Sequence, residues 1–202
     1  MPKPNATTQG NRCTTLLVWL VMIACALLII AVIITGIVVV AIYMIYRPKM
    51  PYIEVADAHL NTLDYDQSGL LDTEMTLTIV AENDNFKVHA SFSDASFNLR
   101  FHGIKIAELR AAPFDVPKNS SFPLYYRVPS STIPLDEAGM ETMDMALKQG
   151  IVPFSLDGQA RTRWKVGIFV PVGFWTHLSC ELRFFWPNGT VVNPLDCSSK
   201  SH

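Results

Sequence analysis

One acidic segment of the chain has oxygen-bearing side chains at the spacing of a calcium-binding loop. Asp64–Asp72 carries carboxylate and hydroxyl oxygens at positions 1, 3, 5 and 9 of such a loop, with Gly69 at position 6. Hard oxygen ligands and a glycine turn at this spacing can wrap Ca²⁺. Position 12 should be a bidentate Glu but is Met75, and the flanking segments alternate like strands. The favoured interpretation is a polar hairpin-like loop, with calcium binding as the alternative.

A second candidate is a row of cations near residue 163. Arg161, Arg163 and Lys165 alternate with Thr162 and Trp164, so a strand would place all three cations on one face. Such a row can bind an anionic wall polysaccharide or a lipid headgroup. The more ordinary interpretation, and the favoured one, is the solvated face of a strand.

Catalytic motifs are absent from the sequence. The histidines at 59, 89, 102, 177 and 202 form no His-Glu-x-x-His pair. No Gly-x-Ser-x-Gly elbow, phosphate loop or dinucleotide fingerprint occurs. The sequence therefore predicts a protein that is not an enzyme and that binds no cofactor or metal, with an unrecognised hydrolase as a minor alternative.

Two cysteines and two sequons point to an oxidising compartment. Cys180 and Cys197 are the only cysteines after residue 46, and they predict a disulfide, with a reduced cytosolic pair as the alternative. Asn119-Ser-Ser and Asn188-Gly-Thr are N-glycosylation acceptors in turn-like contexts. Together these features predict a lumenal or extracellular domain.

Residues 14–46 contain no charged side chain and exceed the roughly 20 apolar residues that cross a bilayer. We expect a cytosolic tail at 1–13, a transmembrane helix at 14–46 and one folded domain at 47–202. A cleaved signal peptide is the alternative, although its apolar region would be about half as long. Cys13, beside the span, is a candidate for palmitoylation.

Charge alone does not orient the span. Two basic residues precede it, and Arg47 and Lys49 follow it, so the positive-inside comparison is nearly balanced. The cysteine pair and the sequons favour the carboxyl-terminal domain outside. All 18 acidic residues and 14 of the 16 basic residues lie after residue 46. This acidic balance argues against a nucleic-acid partner.

The domain is predicted to be mainly β, a sandwich of two antiparallel sheets with one helix at 135–148. That helix has acidic residues in its first turn, Lys148 in its last, and Gly150 just beyond. The apolar run 167–175 is interpreted as core and strand connection, with contact to a membrane or partner as the alternative. Alternating runs predict strands at 53–55, 75–81, 88–92, 96–101, 122–128, 154–156, 160–166 and 178–186.

Motifs at both ends of the domain resemble a known family. Tyr46-Arg47-Pro48 follows the span, and Asn83-Asp84-Asn85 ends a strand before a basic residue and an aromatic strand. The order of these motifs, with Gly158 and the carboxyl-terminal cysteine pair, resembles plant harpin-induced and non-race-specific disease-resistance-like membrane proteins. These belong to the group 2 late-embryogenesis-abundant family, also called the water-stress and hypersensitive-response domain. Asp84 departs from the family pattern, which has Pro at that position.

The resemblance implies an immunoglobulin- or fibronectin-III-like sandwich at the plasma membrane, with a role in plant defence or abiotic stress. The expected partners are the lipid bilayer and an unidentified membrane protein or cell-wall polymer, and an oligomer is compatible with this interpretation. The alternative is a lipid-binding module that works at the bilayer surface.

Overall fold

A computed structural model describes residues 8–45, 49–66, 68–86, 88–129, 132–166 and 170–201. Within these ranges the chain forms two helices and ten strands. In chain order they are α1 (Thr8–Ile45), β1 (Tyr52–Tyr65), β2 (Leu70–Asn83), β3 (Ala90–Phe101), β4 (Ile104–Ala111), β5 (Phe114–Val116), β6 (Ser120–Val128), β7 (Ile133–Pro134), α2 (Glu137–Gln149), β8 (Ile151–Val166), β9 (Val170–Phe185) and β10 (Asp196–Ser201).

The chain divides into two compact units, Met1–Arg47 and Pro48–His202. The described part of the first unit is α1. Its apolar segment Leu17–Ala41 is 25 residues long. At about 1.5 Å per residue this segment exceeds the ~30 Å thickness of the hydrocarbon core. It has the length and composition of a membrane anchor or a signal sequence.

The second unit consists of two antiparallel sheets. One sheet has the strand order β1-β2-β6, and β7 also pairs with β2. The other has the order β10-β9-β8-β3-β4, and β5 also pairs with β3. The inward side chains of both sheets form one hydrophobic core. The predicted mainly-β, immunoglobulin- or fibronectin-III-like sandwich with one short helix is therefore confirmed.

Aromatic side chains dominate the inner layer of the six-stranded sheet. Phe101, Phe154 and Phe184 are fully buried, with ring centroids 5.5 Å apart for the first pair and 5.8 Å for the second. Each aromatic side chain removes about 150–250 Å² from water, so a few rings account for much of the core. The four-stranded sheet contributes aliphatic residues such as Leu77 and Ile79 to the same core.

Helix α2 begins two residues later than the sequence predicts and ends one residue later. Asp136 adopts an extended backbone and serves as the N-cap, because its carboxylate accepts a hydrogen bond from Gly139 N at 2.8 Å. Gly150 lies just beyond the helix, as predicted, and it adopts the left-handed conformation. Met143 and Ala146 are buried on its inner side.

Two pairs of predicted strands are each one continuous strand, so the predicted breaks at 93–95 and 157–159 are wrong. In β3 the break is a bulge between Ser93 and Ser96. In β8, Gly158 lies inside the strand rather than in a turn. A side chain there would collide with the ring of Phe97 and lie 2.7 Å from the carbonyl oxygen of Ser96. The glycine therefore reflects a close approach of two strands.

The predicted disulfide Cys180–Cys197 is present. The two cysteines are directly opposite each other in the β9–β10 pairing, and Cys180 is buried. The bond therefore fastens the last strand, β10, onto the edge of the six-stranded sheet.

We expect the double substitution Cys180→Ala/Cys197→Ala to destabilise the domain by about 3 kcal/mol. The two cysteines are 17 residues apart, and a disulfide that closes a loop of about 15 residues restricts the unfolded chain by about this free energy. In a protein of this size such a loss lowers Tm by about 6–12 °C. Thermal unfolding of the purified full-length protein measures it. Cys25→Ala is the matched control, since Cys25 is a free thiol in α1; an equal fall in both variants would contradict the structural role of the bond.

Candidate functional site

The outer face of the six-stranded sheet carries a shallow polar depression of about 400 Å³. Cross-strand pairing aligns its side chains in two rows over β3, β8 and β9. The first row is Ser96, Gln159 and His177, and the second is Asn98, Asp157 and Ser179. Hydroxyl, amide, carboxylate and imidazole groups thus share one surface, which offers hydrogen bonds to a polar ligand.

Hydrogen bonds order the groups at the edges of this depression. The Ser179 hydroxyl donates to Asp157 Oδ1 at 2.8 Å, and the Ser96 hydroxyl donates to Glu108 Oε1 at 3.2 Å. Lys105 and Arg110 each donate to Glu108 at 2.6 Å. These two hydrogen bonds lower the pKa of the Glu108 carboxyl to about 2. Glu108 therefore stays ionised and paired.

The row of cations predicted from the sequence continues the same face. Arg161 and Arg163 point outward and are exposed, while Thr162 between them is buried. Arg161 is opposite Trp175 on β9, and Arg163 is opposite Gly173. Lys165 lies in the same strand.

No hydrogen bond or ion pair engages either guanidinium within the described ranges. Trp175 is 37% exposed beside them. This end of the face therefore combines two unpaired cations with an accessible indole. The sequence indicated the cations but not the tryptophan beside them.

Asn83 is a buried structural clamp. Its side-chain amide nitrogen shares its two hydrogens among three carbonyl oxygens, those of Val88 at 2.8 Å, Pro117 at 3.1 Å and Val116 at 3.2 Å. Its side-chain oxygen accepts from the backbone and side-chain nitrogens of Asn85, at 3.2 and 2.8 Å. One side chain thus joins the end of β2 to the start of β3 and to β5.

Asn85 extends this clamp to the point where the chain enters the domain. Its side chain accepts from Lys49 N at 3.0 Å and donates to Lys49 O at 2.7 Å. Its carbonyl oxygen accepts from Asn119 N at 2.8 Å. Asp84, between the two asparagines, is half-exposed and pairs with Lys49 Nζ at 3.3 Å. The side chains of Asn83, Asp84 and Asn85 thus join separate loops of the domain. The other residues of the predicted family motif, Tyr46, Arg47 and Pro48, lie outside the described residues.

The acidic segment Asp64–Asp72 forms the β1–β2 hairpin. The carboxylate of Asp66 accepts from Ser68 N at 3.1 Å, Leu70 N at 2.9 Å and the Ser68 hydroxyl at 2.6 Å. The hydrogen bond from the Ser68 hydroxyl, followed by that from Leu70 N, lowers the pKa of Asp66. No cluster of three or more His, Cys, Asp or Glu that could hold a metal occurs among the described residues.

The two sequon asparagines lie at exposed turns. Asn119 has a positive φ of 47° just before β6. Asn188 follows β9, and its side-chain oxygen accepts from Thr190 N at 3.0 Å and from the Thr190 hydroxyl at 2.9 Å. Each side chain is accessible to a modifying enzyme, while Asn5 lies outside the described residues.

No protein-family model and no curated protein matches this chain. A crystal structure of a protein from Archaeoglobus fulgidus aligns with 65% of this chain and 97% of its own, at 13% identity and a TM-score of 0.30. A likeness of this degree says nothing about activity, substrate or partner.

We expect Asn83→Asp to destabilise the domain by about 3 kcal/mol or more, because a carboxylate would face three carbonyl oxygens without donors. Urea unfolding of the full-length protein measures the change. Asp84→Asn is the matched control, since it removes only an exposed ion pair that contributes about 0–1 kcal/mol. Similar losses in both variants would show that the clamp is not the source of stability.

We expect Ca²⁺ to leave the Ser68 and Leu70 amide chemical shifts unchanged, because Asp66 already uses its oxygens within the hairpin. Asp66→Ala should shift both amides, whereas Asp64→Ala should leave them in place. Folding lowers the pKa of Asp66 from its ordinary value of 3.8. The hydrogen bonds to its carboxylate should therefore be fully present above pH 3.8 and should be lost as the pH falls through the lowered pKa of the folded protein. A saturable Ca²⁺-induced shift of these amides would revive the calcium interpretation.

Proposed function

We propose that this chain is a membrane-anchored, non-enzymatic protein of plant defence or abiotic-stress response. Its sandwich domain lies outside the cytosol at the plasma membrane and acts by contact with a membrane or cell-wall partner. The defence or stress role comes from the resemblance to group 2 late-embryogenesis-abundant proteins, whose motif is Asn83-Asp84-Asn85 here.

One combination of features carries this proposal: a long apolar helix joined to a disulfide-bonded sandwich. Disulfides persist in oxidising compartments and are rare in the cytosol, so Cys180–Cys197 favours a domain on the far side of the membrane. The exposed turns at Asn119 and Asn188 fit glycan acceptors in the same compartment. The polar outer face of the six-stranded sheet supplies a surface for contact.

A lipid-binding module at the bilayer surface is the second candidate. Phe86 is 70% exposed and Met50 is 59% exposed. They follow Asn85 and Lys49, which are hydrogen-bonded to each other. Large apolar side chains exposed where the chain enters the domain favour contact with lipid.

Gel mobility of the full-length protein in plant cells, before and after enzymatic deglycosylation, tests the topology. We expect a mobility shift for the wild type and none for Asn119→Gln/Asn188→Gln. Asn5→Gln is the matched control, because Asn5-Ala-Thr lies on the other side of the span and should carry no glycan.

A shift lost only in Asn5→Gln would reverse the orientation and overturn the proposal. Membrane-inserted protein with no shift and with reduced Cys180 and Cys197 would favour the lipid-binding module. The single variants Asn119→Gln and Asn188→Gln show which of these two sequons carries the glycan.

A further inference from the structure

We propose that the outer face of the six-stranded sheet binds a carboxylated polysaccharide, a polymer of uronic acid, through Arg161, Arg163 and Trp175. These three residues are called the cation–tryptophan strip. The inference rests on the proposed function, because it requires the domain to face a compartment that contains such polymers.

The arginines supply recognition of carboxylates. They are two residues apart on one strand, so their Cα atoms lie about 6.6–6.8 Å apart on the same face. A guanidinium donates two parallel hydrogen bonds to a carboxylate, and its charge strengthens both. Neither Arg161 nor Arg163 uses its guanidinium within the described part of the domain, whereas Arg110, Arg127 and Arg183 each pair with a glutamate. The strip therefore contains cations available for a ligand.

Trp175 supplies an apolar surface at the same place. It is directly opposite Arg161, and side chains opposite each other in an antiparallel pair have Cβ atoms about 4.5–5.5 Å apart. An exposed indole has a large apolar body that can pack against the C–H face of a sugar ring, and a polar N–H. Gly173, opposite Arg163, adds no side chain that would cover the strip.

The polar depression continues from the strip along the same strands. From Arg163 to Asp157 is six residues, or about 20 Å of strand. A linear polysaccharide can therefore place carboxylates on the strip while its hydroxyls reach the Ser96, Asn98 and Gln159 side chains of the depression. This continuity favours a chain of sugars over the headgroups of a membrane, which form a broad plane and would not follow one narrow track.

Because the domain as a whole is acidic, binding of a polyanion depends on the cations of the strip. The chain after residue 46 is net acidic, with 18 acidic against 14 basic residues, so the domain as a whole repels a polyanion. On this face Lys200 adds a cation opposite His177. Asp115 is opposite Ser91, which is itself opposite Arg163, and Asp157 lies in the depression, so this face also carries carboxylates. Attraction must therefore come from the cations of this face that form no ion pair among the described residues, and it should be sensitive to salt.

Binding of the full-length protein in phosphatidylcholine nanodiscs to polygalacturonate tests the proposal. We expect Arg161→Gln/Arg163→Gln to weaken binding about tenfold, since two charge-assisted contacts are lost. Arg127→Gln/Lys148→Gln is the matched control, because it removes equal charge from β6 of the other sheet and from α2 and should change affinity less than about twofold. Trp175→Ser should also weaken binding while leaving the salt dependence in place.

The fully methyl-esterified polymer distinguishes the carboxylate from the sugar backbone. We expect it to bind weakly, because it lacks the charge that the arginines recognise. Equal binding of the ester, equal loss in both double variants, or binding only to phosphatidylserine nanodiscs would overturn the inference. Urea unfolding of each variant excludes loss of folding as the cause.

Failure here is separable from failure of the proposed function. A glycosylated, extracellular domain that does not bind polygalacturonate would overturn only this inference. A domain shown to be cytosolic by the mobility assay would overturn both.

Discussion

The close approach of Phe97 to Gly158 is the constraint on which the arrangement of the six-stranded sheet depends. The Phe97 ring occupies the space where a side chain at position 158 would begin. Only a residue without Cβ lets the two strands remain paired there. Because β3 bulges immediately beside this contact, between Ser93 and Ser96, the contact fixes which residue of β3 faces which residue of β8. The rows of side chains on the outer face follow from that register, since a slip of one residue would turn every side chain to the other face.

The polar groups that stabilise the domain and those exposed on its six-stranded sheet lie in different places. The motif that suggests a family, Asn83-Asp84-Asn85, uses its two asparagines inside the protein, where they satisfy backbone groups of several segments. Buried polar groups need such partners, because an unpaired one costs about 1–3 kcal/mol. Arg161 and Trp175, by contrast, lie on an exposed sheet face and carry little of the core. Substitutions on that face can therefore accumulate without loss of the fold.

Much of the architecture could be predicted from the sequence. Strict alternation in segments such as 75–81 and 178–186 marks half-buried strands, and Gly150 marks a helix end. The bulge in β3 and the position of Gly158 inside β8 could not be predicted, because Asp157-Gly158 is a dipeptide typical of turns, whereas the close approach of two strands depends on tertiary structure. The short strands β5 and β7 have too few residues to show a period. The pairing of Arg161 with Trp175 depends on the register of β8 and β9, which is a tertiary property and leaves no local signal.

The double hydrogen bond between the Asn85 side chain and the Lys49 backbone has a mechanical consequence. Lys49 is the first described residue of the domain, and the bonds join it to a residue 36 positions further along the chain. In a chain anchored through α1, a pull on the domain enters through Lys49. The force is then divided between β1 and the connection from β2 to β3. Without these bonds, the force would act on β1 alone and would break its backbone hydrogen bonds to β2 one after another. At the opposite end of the chain, the Cys180–Cys197 bond prevents β10 from detaching. A domain closed in this way at both termini would keep the sheet face of Arg161 and Trp175 intact under the tension that the proposed anchor and the proposed polymer would impose on it.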